Sequence, residues 1–187
     1  MTLPGLTAIA TTITASVLDA ARVEGLVGRL EALGPAARCL YQGKAEAELA
    51  DVAPYLVAGN GAEPTGLVFP DLWGQSAGIH LVSKASPTEL RAHLRHFLMV
   101  VTEDGKTLYF RFYDPRVLRV FLPTCAPEQL AELFGPIEAF VVEDENPERA
   151  LRFTLVDGAL HAETIDLTQD PARKPSLKID WKGRRAS

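Results

Sequence analysis

The chain predicts an α/β (α+β) fold, a single mixed and largely antiparallel sheet flanked by helices. Three observations carry that expectation. Short runs rich in Val, Ile, Leu and Phe alternate with amphipathic helical patterns, as mixed domains require. Asp-Gly pairs at 104–105 and 157–158 each stand between two extended runs, a strong hairpin signal. Finally, 187 residues that are 47% apolar and 23% charged, without an evident repeat, suit one ordinary domain with room for a sizeable core.

Residues 8–18 are rich in Thr, Ile and Val and predict a strand, after which Asp19 is suited to cap a helix carrying Val23, Leu26, Val27, Leu30 and Leu33. Gly34-Pro35 stops it. A short strand over 38–41, a short helix over 44–52 and a strand over 53–58 follow. The Gly- and Pro-punctuated stretch 59–74 reads as a loop, with a turn of helix at Leu72 and Trp73, and 78–83 resumes as a strand. Ser86-Pro87-Thr88-Glu89 is a capping-box helix start, with Leu90, Leu94, Phe97 and Leu98 on one face. Residues 99–102 and 107–113 flank the first Asp-Gly turn as a hairpin. Short helices then follow over 117–122 and 127–134, and strands over 137–142, 151–156 and 160–167.

The run GKTLYFRFYDPRVLRVFL, residues 105–122, is the most informative. A strand over 108–113 puts Leu108, Phe110 and Phe112 on one face and Tyr109, Arg111 and Tyr113 on the other. Asp114 suits a helix N-cap and Pro115 the first helical position. Two readings stand side by side: Arg111, Asp114 and Arg116 form an ion-pair corner that locks strand to helix, or the Tyr109, Arg111, Tyr113 face binds a partner.

Charge is uneven. Residues 172–187 hold six Lys or Arg against one Asp, a net of +5, so the remaining 171 residues carry −10 of the total −5. An acidic body argues against nonspecific nucleic-acid binding. Residues 1–167 are expected to form the domain and 168–187 a basic C-terminal tail or edge strand, in which Leu177, Ile179 and Trp181 alternate with charged residues as a possible partner contact. No apolar run reaches the roughly 20 residues a bilayer span needs, and no Lys or Arg precedes Arg22 as a secretory signal would have it. The expected compartment is the cytoplasm, without membrane insertion.

Reaction chemistry is sparse. Nucleophile-elbow, zinc-protease, P-loop and dinucleotide-binding motifs are absent. Cys39 and Cys125 are isolated and read as buried free thiols, and His93 and His96 as solvated helix-face residues. No catalytic residue, metal or cofactor is expected. An enzyme would have to be built from Arg111, Asp114 and His80, or from the Arg111, Asp114, Arg116 corner.

The landmarks LDAA (18–21), CLY (39–41), APYLV (53–57), ELRAHLRHFL (89–98), DGKTLYFRFYDPRVL (104–118) and LFGPI (133–137) together resemble the bacterial type VI secretion effector-chaperone, or adaptor, family. FRFYDPRVL is the most specific of them. The resemblance implies a non-enzymatic cytoplasmic protein that binds one secreted effector and helps load it onto the spike tip protein of the secretion machine. It brings Arg111, Tyr113, Asp114, Pro115 and Arg116 forward as signature residues, for fold or for contact. Two further functions remain beside it: a small hydrolase or transferase at the same corner, and an immunity protein that inhibits a toxin.

Overall fold

The computed structural model of the chain describes residues 3–59, 64–101 and 104–169. Seven strands form one sheet: β1 (Ala15–Asp19), β2 (Ala37–Cys39), β3 (Pro54–Ala58), β4 (Gly78–Ser83), β7 (Ile137–Glu143), β8 (Arg149–Val156) and β9 (Ala159–Asp166). Their order across the sheet is β2-β3-β1-β4-β7-β8-β9, and every neighbouring pair is antiparallel. A separate ribbon pairs β5 (Met99–Val101) with β6 (Thr107–Tyr109). Six helices flank these strands: α1 (Pro4–Ala10), α2 (Leu26–Glu31), α3 (Lys44–Leu49), α4 (Pro87–His96), α5 (Pro115–Phe121) and α6 (Pro127–Phe134). The expected fold class is the observed one.

β1 is buried along its whole length, as a central strand covered on both faces must be. Its contact with β4 depends on Gly78, where a Cβ would stand 2.1 Å from the Val17 carbonyl oxygen. On one face of the sheet lies the main core, which joins Val17, Ile79, Leu81, Phe140 and Phe153 to Leu90 and Leu94 of α4, Leu118 of α5 and Leu130 and Leu133 of α6. On the other face, Leu26 and Leu30 of α2 pack against Leu18 and Val57, and Leu6 and Ile9 of α1 against Val141 and Ala150. The chain between neighbours β4 and β7, residues 84–136, is one excursion carrying α4, the ribbon, α5 and α6.

Three expectations about local structure are corrected. Residues 8–18 are not one strand: Pro4 opens α1, Leu6 and Ile9 follow helical spacing onto the core, and the Thr11 and Thr12 hydroxyls donate to the Ala8 and Ile9 carbonyls at its end. Asp19 caps no helix, because one carboxylate oxygen accepts from Ala21 N at 3.0 Å and the other is engaged by Arg111. α2 therefore waits until Leu26, behind Gly25 at φ 73°. Third, the strand expected over 108–113 stops at Tyr109. Phe110 N makes its bond to Leu98 O at 3.0 Å, and the backbone then closes a turn from Asp114 N to Arg111 O, also 3.0 Å.

The segment bearing Leu177, Ile179 and Trp181, and with it the expected tail or edge strand, lies outside the described residues.

Candidate functional site

The turn over 110–114 undoes the expected two-faced alternation. Phe112 and Tyr113 are both buried, although neighbours in a strand would face opposite ways, and Tyr109 is left 62% exposed. Arg111 then points to the C-terminal end of β1, where its guanidinium pairs with the buried Asp19 carboxylate. It also lies over the Tyr113 ring, 5.9 Å from the centroid. The corner of Arg111, Asp114 and Arg116 is thus two ion pairs, Arg111 with Asp19 and Arg116 with Asp114.

Asp114 holds the start of α5. Its side chain accepts from Arg116 N at 3.0 Å, and the Arg116 guanidinium closes a fork on both carboxylate oxygens, 2.9 Å from Nε and 2.6 Å from Nη2. Burial alone would push the Asp114 carboxyl up. The bonds and charge of Arg116 outweigh it and hold the group below its ordinary value. Tyr113 is pushed up strongly by burial and stays a neutral phenol. Both arginine side chains are about half exposed, with 44% for Arg111 and 46% for Arg116, so each presents an outer edge while its partner acid is buried.

Asp19 was outside the set picked from sequence, yet it belongs to the LDAA landmark. Its pairing with Arg111 brings LDAA and FRFYDPRVL together across 92 residues of chain. Other landmarks meet in the same way. Arg91, on the ELRAHLRHFL helix, donates to Cys39 O at 2.8 and 2.6 Å and to Tyr41 O at 3.2 Å, fixing CLY, and the Tyr41 ring lies 6.4 Å from that of Tyr109. Gly135 of LFGPI sits at φ +44°, where a Cβ would fall 2.4 Å from the His93 ring. His93 is accordingly no free surface group: Nε2 is 2.9 Å from Leu133 O and its ring packs edge-on to Phe97. Cys39 is buried as expected, while Cys125 is half-buried.

His80, grouped from sequence with Arg111 and Asp114, is on the opposite face of the sheet from them. It faces Ser16, with Nδ1 2.8 Å from Oγ, and stacks on Trp73 at 5.8 Å and 18°. Trp73 in turn donates to Pro147 O at 2.8 Å. A serine beside a histidine resembles a nucleophile and its base. The space around them, which Glu143 also lines, is about 10 Å³, room for one water at most. Glu143 is occupied by Ser76 N at 2.9 Å. Ser16, His80 and Trp73 thus form a packing contact between the loop before β4 and the sheet. Among the described residues no group of three His, Cys, Asp or Glu side chains is placed to hold a metal ion.

The larger feature is apolar. Between the ribbon, α4, α5 and α6 runs a groove of about 280 Å³ with Phe97, Met99, Phe110, Phe121 and Leu133 along it and His96 and Glu132 at its rim. On the ribbon, Val101, 71% exposed, shares one face with Met99 and Tyr109 while Leu108 is exposed on the other, and Val120 stands exposed on α5. Nothing in the sequence distinguishes these residues from core strand residues. Their exposure follows from the ribbon pairing only with itself, away from the main sheet.

Fold and site together define an antiparallel α+β domain that bears an internally paired arginine corner and an adjoining exposed apolar ribbon. Residues 16–132, well over half of the chain, match the family described as a domain of unknown function, DUF4123, and the chain belongs to that family. No curated protein and no solved structure matches the chain.

Proposed function

We propose that this protein is a non-catalytic chaperone or adaptor of type VI secretion, which binds one specific effector in the cytoplasm and helps load it onto the spike tip protein. The observation that carries the reading is the apolar ribbon beside the groove, which exposes Met99, Val101 and Tyr109 on one face and Leu108 on the other. Exposed apolar groups gathered on one short element mark an interaction surface. The effector is the occupant proposed, through an apolar segment whose large side chains fill the groove between the rim groups His96 and Glu132. The family signature thereby has two parts. Asp19, Arg111, Asp114, Arg116, Tyr113 and Arg91 hold the scaffold, and Tyr109 borders the contact. The absence of a helix long and apolar enough to cross a membrane, among the described residues, suits a protein that meets its cargo in solution.

The test is co-purification of the tagged protein from its native host, with bound proteins identified by mass spectrometry. One large effector together with a spike protein is the expected result. Val101→Asp should reduce effector recovery about tenfold or more while leaving thermal stability nearly unchanged, because its side chain is 71% exposed, and Leu108→Asp, at a half-exposed position, should reduce recovery similarly at a small cost in stability. Recovery of the protein alone from cells expressing the secretion machinery would count against the reading. A complex that abolishes a toxin's activity would point instead to an immunity protein.

A further inference from the structure

The two edges of the main sheet are built differently. β2 is three residues long, and Arg91 occupies its Cys39 carbonyl. β9 is eight residues long, pairs with β8 without a register shift, has six of its eight residues exposed, and contains no proline, lysine or glycine. Of the devices by which proteins ordinarily blunt an open edge, it has no lysine, proline or bulge and carries only the carboxylates of Glu163 and Asp166.

Which groups β9 presents follows from its turn. Asp157 and Gly158 have φ of 51° and 77°, the two left-handed residues of a type I′ hairpin, so Val156 and Ala159 form its hydrogen-bonded closing pair. Counting from there, residues 159, 161, 163 and 165 bond to β8. Leu167 N, bonded to Glu148 O at 2.8 Å, continues the same inward set. Leu160, Ala162, Thr164 and Asp166 direct their N–H and C=O groups away from the sheet, with no strand beyond them among the described residues.

We infer that β9 is a self-complementary edge through which two copies of this chain pair antiparallel about a two-fold axis at Ala162. Only an extended backbone matches alternating N–H and C=O groups at this spacing, and the side chains select a second copy. With Ala162 opposite Ala162 of the second copy, Leu160 meets Thr164 and His161 meets Glu163, each contact occurring twice. Centring on Glu163 would set two carboxylates face to face, and centring on His161 would leave Glu163 opposite Ala159. Only the Ala162 register sets the His161 ring opposite a carboxylate with which it can hydrogen-bond. Leu160, Ala162 and Thr164 lie on the face that carries the half-buried Leu151 and Leu155, so pairing also extends apolar cover over the rim of the main core. The inference rests on the sheet edge alone. It goes beyond the adaptor reading, whose own test is effector capture through the ribbon.

Sedimentation equilibrium of the full chain over a concentration series tests it. A reversible monomer–dimer equilibrium is expected. Ala162→Pro removes one outward N–H without touching the β8 ladder and should raise the dimer dissociation constant roughly tenfold or more. His161→Glu, which sets like charges opposite each other, should loosen the dimer about tenfold, while His161→Lys should keep or tighten it. The pair at 161 is exposed and decides the matter even if the proline variant folds poorly. A monomer at every concentration, a dimer indifferent to these three changes, or a monomer whose 160, 162 and 164 amides are already protected from hydrogen exchange would overturn the inference.

Discussion

Asp19 ends the central strand with its carboxylate 1% exposed, and the Arg111 guanidinium is the cation set against it. Removing the arginine alone strands that charge. Arg111→Ala should therefore cost about 1–3 kcal/mol, below the roughly 3–5 kcal/mol of a fully buried pair because the guanidinium is half in water. Asp19→Asn keeps an acceptor for Ala21 N and should cost less. Urea unfolding with an unchanged m-value measures both, and equal losses would show that the buried charge is not the issue. His80 supplies a pH signature. Burial lowers its pKa from 6.5 to about 4, whereas unfolding restores the ordinary value. The unfolded chain thus binds a proton that the folded chain refuses between about pH 6.5 and 4, and stability falls as pH drops through that window. The whole effect is about 3 kcal/mol. Glu143, in the same cavity wall, is raised by burial and acts in the opposite sense, holding its proton in the folded state. The histidine's share is therefore the difference between wild type and His80→Gln, which should lose the steeper acid slope in melting temperature.

At the scale of elements, local chemistry and long-range packing divide the outcome. α4 begins where Ser86 and Glu89 bond reciprocally, with Glu89 N 3.3 Å from the serine hydroxyl and Ser86 N 3.0 Å from the glutamate. That capping box is local and was legible. α6, β4 and the Asp157-Gly158 hairpin were legible for the same reason. The Leu108–Tyr113 segment leaves the strand after Tyr109 because its aromatic, β-favouring residues are equally good core fillers. Phe112 and Tyr113 are drawn inward together by the main core, and the backbone turns to allow it. Gly135 illustrates a constraint that comes from a distant element. Its φ of +44° and the His93 ring 2.4 Å from a built Cβ predict that Gly135→Ala destabilises by more than about 1 kcal/mol, by shifting either the α6 terminus or the His93 contact. A melting temperature equal to wild type would refute this.

Across the whole molecule, every described helix and strand ends at or before Asp166. A chain stopped after residue 171 keeps every described helix and strand, and circular dichroism checks that it folds. Its ability to capture effector then reports separately on the basic segment beyond. If truncation leaves capture of both effector and spike protein intact, Leu177, Ile179 and Trp181 take no part in it. The molecule also separates its surfaces. The arginine corner and ribbon belong to the excursion between β4 and β7, whereas β9 is the terminal strand of the sheet among the described residues. Effector capture and self-pairing are therefore independently testable.

By itself, the sequence determined the fold class, most element positions, the N-cap at Asp114 and the set of landmarks that travel together. Those are properties of periodicity, turn chemistry and capping, which act over a few neighbouring residues. Long-range packing sets Arg111 against Asp19, keeps His80 apart from the corner, and leaves Val101 exposed and Leu108 half-exposed. Each depends on contacts between residues far apart in the chain, and a valine in a buried strand is spelled the same way as a valine on an open ribbon.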